Sequence, residues 1–379
     1  MKKDIGQIHI GILGGGQLGR MLIQAGLDLN LTIHILDPDP EAPCRHLCAS
    51  FTCGSLQDEE LVFAWGKDKD LITIEIEHVS VAALKRLKAA GVTIFPEPEA
   101  LEIIQDKREQ KQFFQKHAIP AAPFVLIESL AELKNHPFPF PFVQKSGKGG
   151  YDGKGVKIHR NEADLAKGLE GPGLVEACIP FEKELAVIAA RNTFGEIQTF
   201  PVVEMVFHPE HNLVEFLAAP AAISAEAADK AATIAKQCIE AFGLTGLLAV
   251  EMFLTKEGEL LVNEVAPRPH NSGHHTIEAN YTSQYQQHWR AILGLPLGDT
   301  QALQHAAMLN LLGAEGYEGP AICHGLDRCL EESGVYVHLY GKKITKPFRK
   351  MGHVTILAEN LESALVKAKY IKDTLTIIS

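Results

Sequence analysis

An apolar run from Ile8 to Leu13 breaks on Gly14-Gly15-Gly16. Leu18, Met21, Leu22 and Ala25 then recur at helical spacing through Gln17 to Leu27, before a second β-rich run from Leu31 to Leu36. Strand, glycine turn, helix and strand in that order make a βαβ unit. The pattern continues with a strand over Leu71 to Ile76, a helix over Val81 to Ala90 and a strand over Val92 to Phe95 that ends at Pro96. The opening ~100 residues therefore read as a parallel α/β domain.

Pro96 and Pro98 punctuate its end, and Ala100 to His117 reads as one long polar helix closed by Ile119-Pro120. Beyond it the pattern is α+β. Short strands at Phe142 to Lys145, Val156 to Ile158 and Leu174 to Glu176 surround a glycine loop, with a helix at Ala163 to Leu169. A strand at Leu185 to Ala190, a helix at Glu226 to Phe242 and paired strands at Leu247 to Leu254 and Glu259 to Val265 follow. From about Gln301 the runs Ala306 to Leu312, Gly334 to Leu339 and His353 to Ala358 alternate like antiparallel strands. A helix over Leu361 to Tyr370 completes a small β-rich terminal domain. The expected division is 1–100, 101–300 and 301–379.

A chain of 379 residues, 46% hydrophobic, can bury several cores. Its 36 Lys and Arg against 47 Asp and Glu give a net charge of −11, which opposes broad contact with nucleic acid or an anionic membrane. An anionic ligand must be met by local basic groups. No apolar run approaches the roughly 20 residues of a membrane helix, and the first ten residues read as a strand, not a signal peptide. Seven scattered cysteines suit a reducing cytoplasm. The set Cys44, His46, Cys48 and Cys53 fits no common zinc spacing and reads as packing.

Two glycine loops carry the chemistry. Gly14, Gly16 and Gly19 match GxGxxG between a strand and a helix, with Asp37 at the end of the next strand. Taken alone, that motif says NAD; physically it guarantees only a tight turn and a helix N-terminus with free N–H groups that will receive a phosphate or a carboxylate. The second loop runs from Lys145 through Ser146-Gly147-Lys148-Gly149-Gly150-Tyr151-Asp152-Gly153-Lys154-Gly155 to Val156 between two strands. Its glycines let a hairpin bend over a polyphosphate, while Lys145, Lys148 and Lys154 supply charge. It is not a P-loop, because no long apolar helix follows. A solvated surface loop is the bland alternative, and the strong flanking strands argue against it.

Glu251 and Glu264 lie on two apolar strands joined by a turn at Lys256-Glu257-Gly258, so their carboxylates can face each other on one side of a hairpin. Two close like charges call for a cation between them, and Asn263 adds a neutral oxygen. Hard oxygen ligands beside a phosphate loop suit Mg²⁺. Directly after this strand Pro267 and Pro269 stiffen a turn that carries Arg268, His270 and Asn271, followed by His274 and His275. The histidines could serve a transition metal, but the adjoining acids and phosphate loop favour anion handling.

With these pieces in place the chain resembles the ATP-grasp ligases, and within them the N5-carboxyaminoimidazole ribonucleotide synthetase family. The carrying segments, in order, are GILGGGQLGRM, TIEIEHV, GGYDGKG, VEACIPFEKELAV, VNEVAPRPHNSGHHT, and YGK followed by RKMGH. The likeness implies a Rossmann-like pre-ATP-grasp domain, a central ATP-grasp domain with a mobile subdomain at about 121–183, and the β-rich terminal domain. By likeness, Lys107 and Lys145 touch ATP phosphates and Gly150, Tyr151, Asp152, Gly153, Lys154, Gly155 and Val156 form the closing loop. Glu176, Ala177, Cys178 and Ile179 are the hinge that reads adenine through backbone groups, and Glu184 is the ribose acid. Glu251 and Glu264 are magnesium ligands with Asn263 beside them. Tyr151, Asp152, Arg268, His270 and Asn271 match the place where bicarbonate meets the aminoimidazole, and Gln17, Leu18, Glu75, Lys342 and Arg349 match positions that hold the ribonucleotide.

Three positions depart from the family pattern. Lys107 stands where Arg is frequent, His208 is shifted by a residue from a usual histidine, and His275 replaces a frequent aromatic. The implied reaction is ATP-dependent carboxylation of aminoimidazole ribonucleotide by bicarbonate through carboxyphosphate, in a cytoplasmic homodimer. Rival readings are a formate-dependent transformylase or biotin carboxylase type of ATP-grasp ligase, and an NAD-dependent oxidoreductase built on the first glycine loop.

Overall fold

The computed structural model describes residues 4–150, 155–207 and 214–379. Its first segment contains β1 (His9–Leu13), α1 (Gln17–Leu27), β2 (Thr32–Asp37), β3 (Ser50–Cys53), α2 (Glu59–Gly66), β4 (Leu71–Ile74), α3 (Val81–Ala89) and β5 (Thr93–Ile94). The strands form one parallel sheet in the order β3-β2-β1-β4-β5. Ile10 and Ile12 pair with Ile33 and Ile35, and all four belong to a core closed by Met21 and Leu22 of α1. β1 lies between β2 and β4, so the turns leaving these three strands sit side by side at the carboxyl end of the sheet, where open α/β sheets receive ligands. Asp58 and Ser80 cap α2 and α3 with side-chain bonds to Leu61 and Ala83 N–H, each worth about 1 kcal/mol. β3 and α2 lack a strong periodic signal in the sequence.

The long helix expected over Ala100 to His117 is two helices, α4 (Pro98–Ile104) and α5 (Lys107–Lys116). Asp106 interrupts it in an extended conformation, its carboxylate accepting the Arg108 N–H at 3.0 Å. Aspartate competes with the helix for its own backbone and favours the cap. The Lys107 N–H is thereby free to bond Gly147 O at 2.7 Å, which ties the start of α5 to the second glycine loop.

β6 (Phe124–Ile127), β7 (Phe142–Ser146), β8 (Val156–His159) and β9 (Gly173–Ala177) form a small antiparallel sheet, in the order β6-β9-β7-β8, around Ile127, Phe142 and Val175. The helix expected at Ala163 to Leu169 is a 3-10 segment over Glu162–Lys167.

β10 (Phe181–Arg191), β11 (Ile197–Thr199), β12 (Val203–Phe207), β13 (Val214–Ala219), α6 (Ala225–Ala241), β14 (Gly246–Thr255) and β15 (Leu260–Ala266) follow. After α7 (Thr276–Ala279) and α8 (Gln284–Ile292) comes β16 (His305–Leu312). A large sheet runs β15-β14-β10-β12-β13-β16 and then through Lys350–Ala358 to Val335–Leu339, with β11 off β10. The strands of the terminal segment thus extend the central sheet, through pairs such as Phe216 with Leu309. Their other face is covered by the helix Leu361–Thr374. α6 covers β10 and β14 with Ala231, Ala235, Cys238 and Ile239. Trp289 of α8 is fully buried against α1 and donates to Leu22 O at 2.8 Å. That contact fixes the parallel sheet to the centre, because burying an indole alone stabilises by about 3 kcal/mol.

Candidate active site

Glu251 on β14 and Glu264 on β15 are direct partners across the antiparallel pair, as expected from the sequence. The next pair is Met252 with Val262, which leaves Asn263 as the extra residue of a β-bulge. A regular strand would send Asn263 and Glu264 to opposite faces; the bulge re-aims the side chains. Glu184 lies two residues along β10 from Ala186, the partner of Glu251, and so on the same face. Burial, and then the charges of Glu251 and Glu264, push its pKa up to about 8. Three acids crowd one floor, with Asn263 at its edge. The paired carboxylates of Glu251 and Glu264, with Asn263 beside them, suit a magnesium ion that takes its remaining ligands from phosphates and water.

Cations answer this floor. Lys107 opens α5 and donates its ammonium to Glu264. Burial works to lower the pKa of Lys107, but Glu264, Glu176 and Glu251 together raise it. The Lys107 ammonium in turn holds the Glu264 carboxyl well below the usual carboxylate range. Lys145 at the end of β7 bonds Asn263 Oδ1 at 2.8 Å and Glu176 at 2.8 Å. Glu176 also receives Lys111 at 2.7 Å. Burial opposes its ionisation, yet Lys145 and Lys111 keep its pKa low. Its side chain is thus an ionic bridge, while Ala177 is fixed by its N–H bond to Pro123 O at 3.0 Å, ahead of Cys178 and Ile179 in the link to β10.

Gly150, Gly155 and Val156 frame the second loop, which closes through the Ser146 N–H to Gly155 O bond at 2.8 Å and the Lys145–Val156 pair. Tyr151, Asp152, Gly153 and Lys154 lie outside the described residues, as does His208.

The turn after β15 is held from α8. Gln284 accepts the His270 N–H and donates to His270 O, both at 2.8 Å. His270 Nδ1 accepts the Ser272 N–H at 3.3 Å, which assigns the proton to Nε2, 3.2 Å from Glu251 Oε1. Arg268 pairs with Glu77 at 2.8 Å. Asn271 Oδ1 is buried without a hydrogen-bond partner among the described residues. His275 is buried, which lowers its pKa to about 4.

The first glycine loop is filled from within. Glu75, just past β4, accepts the Gly16 N–H at 2.7 Å and the Gly19 N–H at 2.8 Å, while Asp37 accepts the Gly15 N–H at 2.6 Å. These are the donors and the acid that a dinucleotide would need, so the NAD reading is corrected: the motif serves an internal carboxylate. A Cβ on Gly16 would stand 2.6 Å from Glu75 Oε1. Burial raises the Glu75 pKa, with the Gly19 and Gly16 N–H bonds opposing it. Beside it Gln17 Oε1 accepts from Lys342 at 3.0 Å, and Lys342 donates to Lys350 O at 2.8 Å. Arg349, the next residue back, bonds Ile344 O at 2.6 Å. Gln17, Glu75 and Lys342 are brought together, whereas the Leu18 side chain is packed in the core.

Sequence reasoning missed Lys111, Gln284 and Glu77. Lys111 carried a signal, its spacing of four from Lys107 on one helix face; the other two carried none. All seven cysteines are free, and among the described residues no group of three or more His, Cys, Asp or Glu is placed to hold a metal ion. No helix among them is long and apolar enough to cross a membrane.

An acid pair facing lysines across a glycine hairpin, on this sheet arrangement, defines an ATP-grasp protein. The ATP-grasp domain family matches residues 112–285, between a ribonucleotide synthetase preATP-grasp domain at 7–105 and a phosphoribosylaminoimidazole carboxylase C-terminal domain at 306–367. The chain belongs to the N5-carboxyaminoimidazole ribonucleotide synthetase family. It is 37% identical over 360 residues to the N5-carboxyaminoimidazole ribonucleotide synthase of Bacillus subtilis, covering 92% of this chain and 91% of that one. The synthetase structure from Thermotoga maritima matches with TM-score 0.91 and 44% identity over 98% of this chain and 100% of the other. The Aspergillus clavatus synthase in complex with ADP and 5-aminoimidazole ribonucleotide matches with TM-score 0.88 and 32% identity, covering 97% and 98%. A plant phosphoribosylaminoimidazole carboxylase is longer, and the chain spans 65% of its length.

Proposed function

We propose that this chain is an ATP-dependent carbon–nitrogen ligase that joins bicarbonate to the exocyclic amine of 5-aminoimidazole ribonucleotide, giving N5-carboxyaminoimidazole ribonucleotide, ADP and phosphate. The observation that carries this reading is the register pairing of Glu251 with Glu264 opposite Lys107 and Lys145, in a chain of this family. A bicarbonate oxygen attacks the γ-phosphorus as the bond to ADP breaks, forming carboxyphosphate. The amine nitrogen then takes the carboxyl carbon, and phosphate leaves.

Glu251 and Glu264, with Asn263 beside them, would hold magnesium, which offsets charge on the phosphates. Lys107 and Lys145 stabilise the transferring phosphoryl oxygens, and the Gly147–Gly155 hairpin excludes water from the labile intermediate. Glu176 to Ile179 meet the adenine and Glu184 the ribose. Arg268, His270 and Asn271 hold the bicarbonate end, with Asp152 or His270 managing the amine proton. Gln17, Glu75, Lys342 and Arg349 place the ribonucleotide. The enzyme works as a homodimer in a reducing compartment.

The test is ADP release measured with and without aminoimidazole ribonucleotide and bicarbonate. Release stimulated by both substrates is expected; release indifferent to the ribonucleotide but stimulated by another acceptor overturns the substrate assignment.

A further inference from the structure

Lys111 is a buried lysine that none of the roles above uses. It lies one helical turn past Lys107 on α5, and its side chain is 3% exposed, against 4% for the Glu176 with which it forms an ion pair at 2.7 Å. The other carboxylate oxygen of Glu176 holds Lys145, 7% exposed, at 2.8 Å. Lys111 also lies 3.5 Å from Val262 O on β15. Two ammoniums and one carboxylate leave a net charge of +1 in a pocket with almost no water. Taking a lysine out of water is costly, so its presence needs a reason.

We infer that Lys111 is a positioning residue that acts through Glu176 on Lys145 and so sets the affinity for ATP. The inference rests on the assignment of Lys145 to the ATP phosphates. With Lys111 present, Glu176 is shared, and Lys145 keeps charge for an incoming phosphate. Without it, the whole carboxylate falls on Lys145, the trio becomes a neutral pair, and the attraction for phosphate is spent internally. Lys111 is also the partner that comes from the body of the protein. Glu176 and Lys145 stand on β9 and β7 of the small sheet, so the same bond fastens that sheet at its root. The charged groups facing Lys111 are Glu176 from β9, Lys145 from β7 and Lys107 from its own helix. Burial first, and then Lys145 and Lys107, bring its pKa down to about 8 against the pull of Glu176.

The experiment compares Lys111→Met, the double variant Lys111→Met with Glu176→Gln, and Lys145→Met, reading KM for ATP, KM for the ribonucleotide and kcat. Lys111→Met is expected to raise the KM for ATP about tenfold, the loss of one charge-assisted contact, with the ribonucleotide KM within about twofold. The double variant restores the net charge of +1 and is expected to regain most of the ATP affinity; a KM for ATP that stays as high as in Lys111→Met while the fold is recovered contradicts the inference. In the unmodified enzyme ATP affinity is expected to fall as pH rises through about 8, as Lys111 loses its proton, and this limb is expected to be absent in the double variant, which carries no titrating group at position 111. Should Lys111→Met misfold, the double variant and the pH profile still decide. If Lys145→Met weakens ATP binding but neither Lys111 comparison nor the pH limb appears, the inference is wrong; if Lys145→Met leaves ATP binding intact, the phosphate assignment falls with it.

Discussion

The two glycine loops use the same residue for opposite purposes. At Gly14–Gly19 the absence of side chains lets an internal carboxylate, Glu75, come down on the backbone N–H groups. At the second loop the described ends meet backbone instead: the Gly147 N–H bonds Pro172 O at 3.0 Å, and Gly147 O ties the base of the loop to α5 through the Lys107 N–H. A motif of glycines therefore states where backbone is accessible and says nothing about the anion. The neighbouring charges decide: acids at Asp37 and Glu75 take the N–H groups of the first loop, and lysines at 107 and 145 stand beside the second, where the proposed function puts the phosphates.

Several measurements would break or sharpen that contrast. The largest effect is expected from Glu264→Ala, which removes one of the paired acids; ADP release should fall by about 10²-fold or more, and full activity would contradict the acid floor. Next, Gly16→Ala should cost about 1–3 kcal/mol in thermal unfolding, since its Cβ would lie 2.6 Å from Glu75. In the second loop Gly149→Ala meets nothing within 4 Å and carries only the cost of φ +79°, about 1 kcal/mol. Equal penalties in the two loops would erase the distinction.

Glu184 gives a smaller, pH-dependent signal. Its folded pKa of about 8 lies above the ordinary 4.5, so the native state holds a proton that the unfolded chain has released, and stability falls as pH rises between those values. In Glu184→Gln that slope should flatten, seen in denaturant melts between pH 5 and 8 without nucleotide. The smallest effect is Asp106→Ala, about 1 kcal/mol from loss of the α5 cap, read as a lower unfolding midpoint.

The sequence made the functional pattern legible where the signal was local. Apolar strands bearing Glu251 and Glu264 around a short turn predicted their pairing, and the βαβ opening predicted the parallel sheet. Contacts between distant segments were not legible. Nothing near Gly16 reveals that Glu75 will fill its loop, because the contact depends on β1 and β4 becoming neighbours. The bulge at Asn263 depends on strand register, which is set only when β14 and β15 pack together. The break at Asp106 was hidden in a run of good helix formers and is enforced by the bond from Lys107 N–H to Gly147 O. The joining of β13 to β16, which carries the terminal segment into the central sheet, likewise has no local mark.

The decisive measurement is a structure with magnesium and ADP bound. The account places the diphosphate within hydrogen-bonding distance of Lys107 and Lys145 and a cation between Glu251 and Glu264, with Glu75 still on the first loop. A nucleotide whose phosphates replace Glu75 at Gly16 and Gly19, leaving the acid pair empty, would contradict it.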